Sequence, residues 1–107
     1  MPESFRIAVL ASGGGTNLQA ILDKLHGKDG IEVIGVASDK PGAQALERAK
    51  EAGVETGVFP ASMHPDRHTR DMAIADWLTE REVELVVLAG YMQLLDPAFL
   101  HRFPGRV

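Results

Sequence analysis

The sequence predicts an α/β fold, a Rossmann-like parallel sheet with helices on both faces. Three observations carry that expectation. Apolar runs of strand length alternate with segments of helical periodicity, in the order β-α-β-α-β-α-β-α over 107 residues. The runs at 5–11 and 85–88 are near-continuous, as in strands buried on both faces of a parallel sheet. Between the first strand and the first helix stands Ser12-Gly-Gly-Gly-Thr-Asn17, a glycine turn at the carboxyl end of a strand. Such alternation means parallel strands joined by right-handed crossovers, and the expected strand order is 3-2-1-4.

Each element has its own warrant. Residues 5–11 form the first strand, broken only by Arg6. Leu18, Ile21, Leu22 and Leu25 follow at i, i+3, i+4 and i+7, one apolar face of a helix that Gly27 and Gly30 end. Residues 31–38 are rich in β-branched side chains and form the second strand; the cluster at 38–42 is a turn. Ala45, Leu46 and Ala49 place a short second helix close to the sheet, closed by Gly53. Residues 54–59 form a weaker third strand, whose Gly57 predicts an edge or a close approach. After a loop at 60–65, a helix runs from about Asp66 to about Glu82, with Ile74, Ala75 and Leu78 inward and Trp77 flanking. Residues 84–89 form the fourth strand. Asp96 and Pro97 are N-cap and first residue of a short helix reaching about Arg102.

Composition narrows the function. The length suits one domain, and 45% hydrophobic with 24% charged residues is ordinary folded material. A formal net charge of -4 and the lack of a basic cluster argue against nucleic acid as partner. Without cysteine there is no disulfide, thiolate metal site or thiol nucleophile, which fits a reducing interior. No run approaches membrane length, and no leader pattern opens the chain. A cytoplasmic location with no membrane partner is expected.

The chemistry concentrates in two loops. In the order 3-2-1-4 the connections of strands 1 and 4 leave in opposite directions, and ligands bind outside the carboxyl ends of the strands at such a junction. The loops there are 12–17 and 90–95. Gly13, Gly14 and Gly15 let backbone N–H groups converge beside the free N–H groups of a helix start, a socket for an anion such as phosphate. Gly15, Thr16 and Asn17 are its candidate residues. The loop is no Walker A motif, since no Gly-Lys-Ser/Thr closes it, and Leu18 stands where a dinucleotide fingerprint has its third glycine. Asp39, near the end of the second strand, keeps a ribose-binding acid open. The plainer alternative is a tight turn with Thr16 and Gln19 as a capping box.

Tyr91-Met-Gln-Leu-Leu95 is apolar just past a strand end, where exposed backbone groups beside apolar side chains suit a flat heteroaromatic ring. Alternatively Met92 and Leu95 plug the sheet end. His64 and His68 are four apart, but Pro65 interrupts them and no third ligand is evident, so no metal is expected. Arg67 is either a contact for an acidic ligand or a solvated arginine. His26 and His101 complement helix ends. Asp76, Glu80, Arg81, Glu82 and Glu84 read as a solvated face, and no serine or histidine stands in a nucleophilic constellation.

Four stretches resemble the N-terminal half of the glycinamide ribonucleotide formyltransferase family of purine biosynthesis: residues 11–20, Ser38-Asp-Lys40, residues 46–53 and residues 86–95. The resemblance implies a formyl transfer from 10-formyltetrahydrofolate to the amine of glycinamide ribonucleotide, on the route to IMP. It implies that Gly15, Thr16 and Asn17 hold the substrate phosphate. Met92, Gln93, Leu94 and Leu95 would line the pteridine pocket, with Arg67 near the folate tail. The family often has arginine where Gln93 stands. Its Asn-x-His-Pro-Ser/Ala motif follows directly after a segment like 103–107, and its catalytic aspartate comes much later. The expectation is therefore a chain truncated before the catalytic half, with no catalytic residue within it and negligible turnover alone. The fourth strand then becomes an edge, and self-association through it is expected. A formyltetrahydrofolate hydrolase, a methionyl-tRNA formyltransferase, a non-catalytic nucleotide-binding module and a purely structural fragment are the alternatives. The hydrolase usually carries a regulatory domain before the glycine loop, and the tRNA enzyme does not bind a ribonucleotide phosphate in this manner.

Overall fold

The computed structural model describes residues 4–93 and 95–107. The elements are β1 (Phe5–Leu10), α1 (Thr16–Lys24), β2 (Ile31–Ser38), α2 (Gln44–Glu51), β3 (Glu55–Val58), α3 (Arg67–Glu80), β4 (Leu85–Leu88) and α4 (Pro97–Arg102). The strands are parallel, in the expected order β3-β2-β1-β4.

Ends differ from the sequence reading by one to three residues, for local reasons. Asp66 caps α3 from outside, its carboxylate accepting the Thr69 N–H at 2.7 Å. Glu82, with φ 57°, takes the left-handed turn that ends the segment. A 3₁₀ turn, Ala61–Met63, lies inside the loop expected at 60–65. α1 stops at Lys24 instead of reaching Gly27, and Leu25 is left 39% exposed, outside the apolar face assigned to it. His26 does more than complement a helix end: its Nδ1 accepts the Val33 N–H at 3.0 Å.

Two apolar layers sandwich the sheet. Ile7, Val9, Leu18, Leu22, Val33 and Leu46 pack on the side of α1 and α2. Ala8, Leu10, Ile74, Leu78, Val86 and Phe99 pack on the side of α3 and α4. Phe99 is fully buried, and burial of such a side chain stabilises by about 1.5–3 kcal/mol. Pairing of β1 with β2 slips between Ile7 and Ala8, where β2 carries one extra residue, Ile34. Trp77 then lies against two glycines. A Cβ on Gly35 would stand 2.7 Å from its ring, and one on Gly57 would stand 3.0 Å away. Gly57 thus marks both a close approach and an edge strand.

The apparent break at Arg6 is also resolved. Its guanidinium reaches the far end of α3 and donates to the Arg81 carbonyl at 3.1 and 2.9 Å. Arg81 lies over Trp77, 4.4 Å from the ring centroid, and pairs with Glu55. That ion pair holds the Glu55 carboxyl below its ordinary range. The face expected to be solvated, at Asp76, Glu80, Arg81, Glu82 and Glu84, is therefore partly a clasp between β1, β3 and α3. The outer edge of β4 is not wholly bare, because the Val86 N–H donates to the Arg106 carbonyl at 2.7 Å.

Candidate functional site: two clefts at the carboxyl edge of β1 and β4

The loops that leave β1 and β4 are stitched together by Ser12. Its N–H donates to the Gly90 carbonyl at 3.3 Å, and its hydroxyl accepts the Met92 N–H at 2.8 Å. Ser12 is 2% exposed. Sequence reasoning passed over it as one more loop residue. The available signal was a small hydroxyl directly after a buried strand, next to a loop that needs partners.

The glycine turn is built by α2. Gly15 is the residue before α1 and has φ 79°. A Cβ there would also meet Ala45 Cα at 2.8 Å, so both backbone conformation and space demand glycine. The capping-box alternative is not what forms. Thr16 is the first residue of α1, and Gln19 turns to Asp23 and Arg48 instead.

Three carbonyls of the turn have partners. Gly13 accepts the Ala45 N–H at 3.2 Å, Gly14 accepts Arg48 Nε at 2.7 Å, and Gly15 accepts the Gln19 N–H at 2.8 Å. A trans peptide is planar, so a carbonyl drawn one way sends the next residue's N–H the opposite way. The N–H groups of Gly14 and Gly15 therefore aim away from α2, and that of Thr16 leaves the start of α1. Successive amides aimed in this way make an anion-binding concavity. Beside them lies a cleft of about 150 Å³, lined by Gly13 to Asn17 with Ala89 and Gly90. Gly15, Thr16 and Asn17 all line it, as the sequence expectation requires of a socket.

A second cavity of about 210 Å³ lies where the β4 loop meets the start of α3. His64, Pro65, Asp66, Arg67, Arg70 and Gln93 line it. It brings together Arg67 and Gln93, which stand 26 positions apart in the chain. The other pocket candidates divide. Met92 is 75% exposed at the loop, whereas Leu95 packs on the α3–α4 layer, nearer the plug alternative. Leu94 lies outside the described residues.

Gln93 is held from both sides. Its Nε2 donates to Asp39 Oδ2 at 2.7 Å, and its Oε1 accepts Arg70 Nη1 at 3.2 Å. Asp39, 6% exposed, is thus engaged with the β4 loop, which argues against its serving a ribose. Arg70 and Asp71, 3% and 0% exposed, pair at 3.0 Å, and Asp71 Oδ2 accepts the Asp96 N–H at 2.6 Å. Sequence reasoning missed this pair, because two adjacent charges near a helix start look solvated. The signal was there: Arg70 and Asp71 stand four before Ile74 and Ala75, on the inward stripe.

Asp39 Oδ1 and the Tyr91 hydroxyl are buried without a hydrogen-bond partner among the described residues. Burial pushes the Tyr91 phenol up to about 12, with Asp71 and Asp39 adding to the rise and Arg70 opposing it. The Ala98 N–H, accepted at 2.8 Å, holds the Asp96 carboxyl low, assisted by His68 and Arg67. His68 Nδ1 stands 3.5 Å from that carboxylate. Among the described residues no group of three His, Asp or Glu is arranged to hold a metal ion. Nor is any described helix long and apolar enough to cross a membrane.

Residues 5–107 match the formyl transferase family. Phosphoribosylglycinamide formyltransferase of Haemophilus influenzae is 44% identical over 103 residues, covering 95% of this chain and 49% of that protein. The Escherichia coli protein of the same name is 40% identical, covering 94% and 48%. Glycinamide ribonucleotide transformylase 1 of Symbiobacterium toebii superposes with a TM-score of 0.92 at 44% identity, over 99% of this chain and 50% of that one. The chain thus spans about half the length of these two curated relatives.

Proposed function

The chain belongs to the formyl transferase family, and from that premise we propose that it supplies the substrate-binding half of a phosphoribosylglycinamide formyltransferase. The transfer carries the formyl group of 10-formyltetrahydrofolate to the amine of glycinamide ribonucleotide in cytoplasmic purine synthesis. The observation that carries the proposal is the pair of clefts on one sheet edge, tied to each other through Ser12.

The doubly charged phosphate sits against Gly15, Thr16 and Asn17, where outward amides replace its water shell. The folate takes the side of Arg67 and the β4 loop, with its acidic tail toward the Arg67 guanidinium. Gln93 is already held by Asp39 and Arg70. The pteridine is therefore met by backbone groups of 92–95 and by the exposed Met92, rather than by the Gln93 amide. With both substrates fixed, the amine and the formyl carbon meet between the clefts, and the attack becomes effectively intramolecular. No residue of this chain is assigned a proton-transfer or oxyanion role. Those groups, an asparagine, a histidine and an aspartate by resemblance, follow the matched span in the family. The outer edge of β4 is assigned to self-association.

Titration of the ¹⁵N-labelled chain with glycinamide ribonucleotide tests the reading. The expected result is saturable shifts of the Gly14, Gly15 and Thr16 amides, competed by inorganic phosphate. Shifts confined to residues outside 13–17, or none, would remove the proposal.

A further inference from the structure

We propose that Arg48 is the positioning residue of the anion socket: its guanidinium holds the Gly14 carbonyl back and so turns the Gly15 amide toward the bound phosphate. The inference rests on the reading of 13–17 as a phosphate socket and deepens it. Arg48 lies on α2, 33 positions beyond Gly15, and is half-buried.

Its Nε donates to the Gly14 oxygen at 2.7 Å, and its Nη1 donates to Gln19 Oε1 at 3.2 Å. One rigid fork thus grips the turn and the first turns of α1 together. The neighbouring constraint has a different source. The Gly13 oxygen is drawn by the Ala45 N–H, a main-chain donor that survives any side-chain change at position 45 except proline. The Gly14 peptide relies on Arg48 alone among the described side chains. A free glycine peptide rotates readily, and a flipped Gly14 carbonyl would present oxygen instead of N–H to an anion. The bond from a charged donor opposes that flip, and the positive charge beside the turn adds attraction for phosphate. The Arg48 stem also fills the space beside Gly15, where a Cβ would lie 3.2 Å from Arg48 Cδ.

The test compares wild type with Arg48→Leu and Arg48→Lys, by amide shifts and calorimetry, using glycinamide ribonucleotide and inorganic phosphate as probes. Arg48→Leu should weaken both ligands by about tenfold, the loss expected for one charge-assisted hydrogen bond. Arg48→Lys keeps a donor within reach of Gly14 and should recover most of that loss. Affinity for a 10-formyltetrahydrofolate analogue should not change, which a general loss of structure could not imitate. If the leucine variant does not fold, as judged by far-UV circular dichroism, Arg48→Gln replaces it, being too short to span to Gly14. Phosphate affinity equal to wild type in the leucine or glutamine variant overturns the role of Arg48 and leaves the socket standing. A lysine variant as weak as the leucine one also overturns it. Failure of the wild-type chain to bind either probe overturns both the socket and this role.

Discussion

Tyr91 shows how a single side chain records its surroundings. Its hydroxyl is buried beside Asp39, Asp71 and Arg70, and the phenol is raised to about 12. The fold thus favours the neutral form. That contribution to stability is complete below the unfolded tyrosine value of about 10 and is lost as pH rises through the folded value. It is the only tyrosine in the chain, so phenolate absorbance reports it alone, while Trp77 fluorescence reports whether the fold persists. The expected folded midpoint is near 12, dropping to about 10 in denaturant. A folded midpoint at the unfolded value would show that water reaches the hydroxyl. Gly15 makes the complementary point, since its identity is dictated by a helix that the chain reaches 29 residues later.

Among elements, the coupling of α3 to α4 is the most demanding. Asp71 is fully buried, takes Arg70 as its ion partner and accepts the N–H of Asp96, the residue that caps α4. Replacing it removes the ion partner of a buried guanidinium and the acceptor of the Asp96 N–H at once. Asp71→Ala should destabilise the chain by about 3–5 kcal/mol, read as a lower urea midpoint. A loss below about 1 kcal/mol, the size of an exposed pair, would mean that Arg70 and Asp71 are solvated in solution. The cap at Asp66 differs in kind. The Thr69 N–H lowers its carboxyl, so its help to α3 is present above the unfolded aspartate value and fades as pH falls through the lowered one.

For the whole molecule, the outer edge of β4 is one of two strand edges of the sheet. β3 is the other edge. β4 itself leaves Leu88 46% exposed. One of its N–H groups is met by Arg106, which covers part of the edge. An apolar strand edge with remaining backbone groups invites pairing with a second copy. Light scattering should therefore show a mass that rises with concentration, and Leu88→Lys should suppress the rise, since charge on an edge strand resists pairing. A concentration-independent monomer would remove self-association while leaving both clefts untouched.

The order of elements was legible in the sequence alone, and the expected 3-2-1-4 strand order is the one found. The elements and their parallel pairing follow from local periodicity, glycine punctuation and the handedness of crossovers, none of which needs distant partners. Motif and resemblance single out Gly15, Thr16, Asn17, Arg67 and Gln93, and in the structure the first three line one cleft and the last two another. Tertiary structure alone decided which polar groups face each other. Arg48 reaches back to Gly14, Ser12 joins two loops, Gln93 is bound by Asp39 and Arg70, and Thr16 does not cap. The physical reason is that apolar burial is written in spacing along the chain. A buried hydrogen bond depends on two groups brought within about 3 Å by the packing of everything between them.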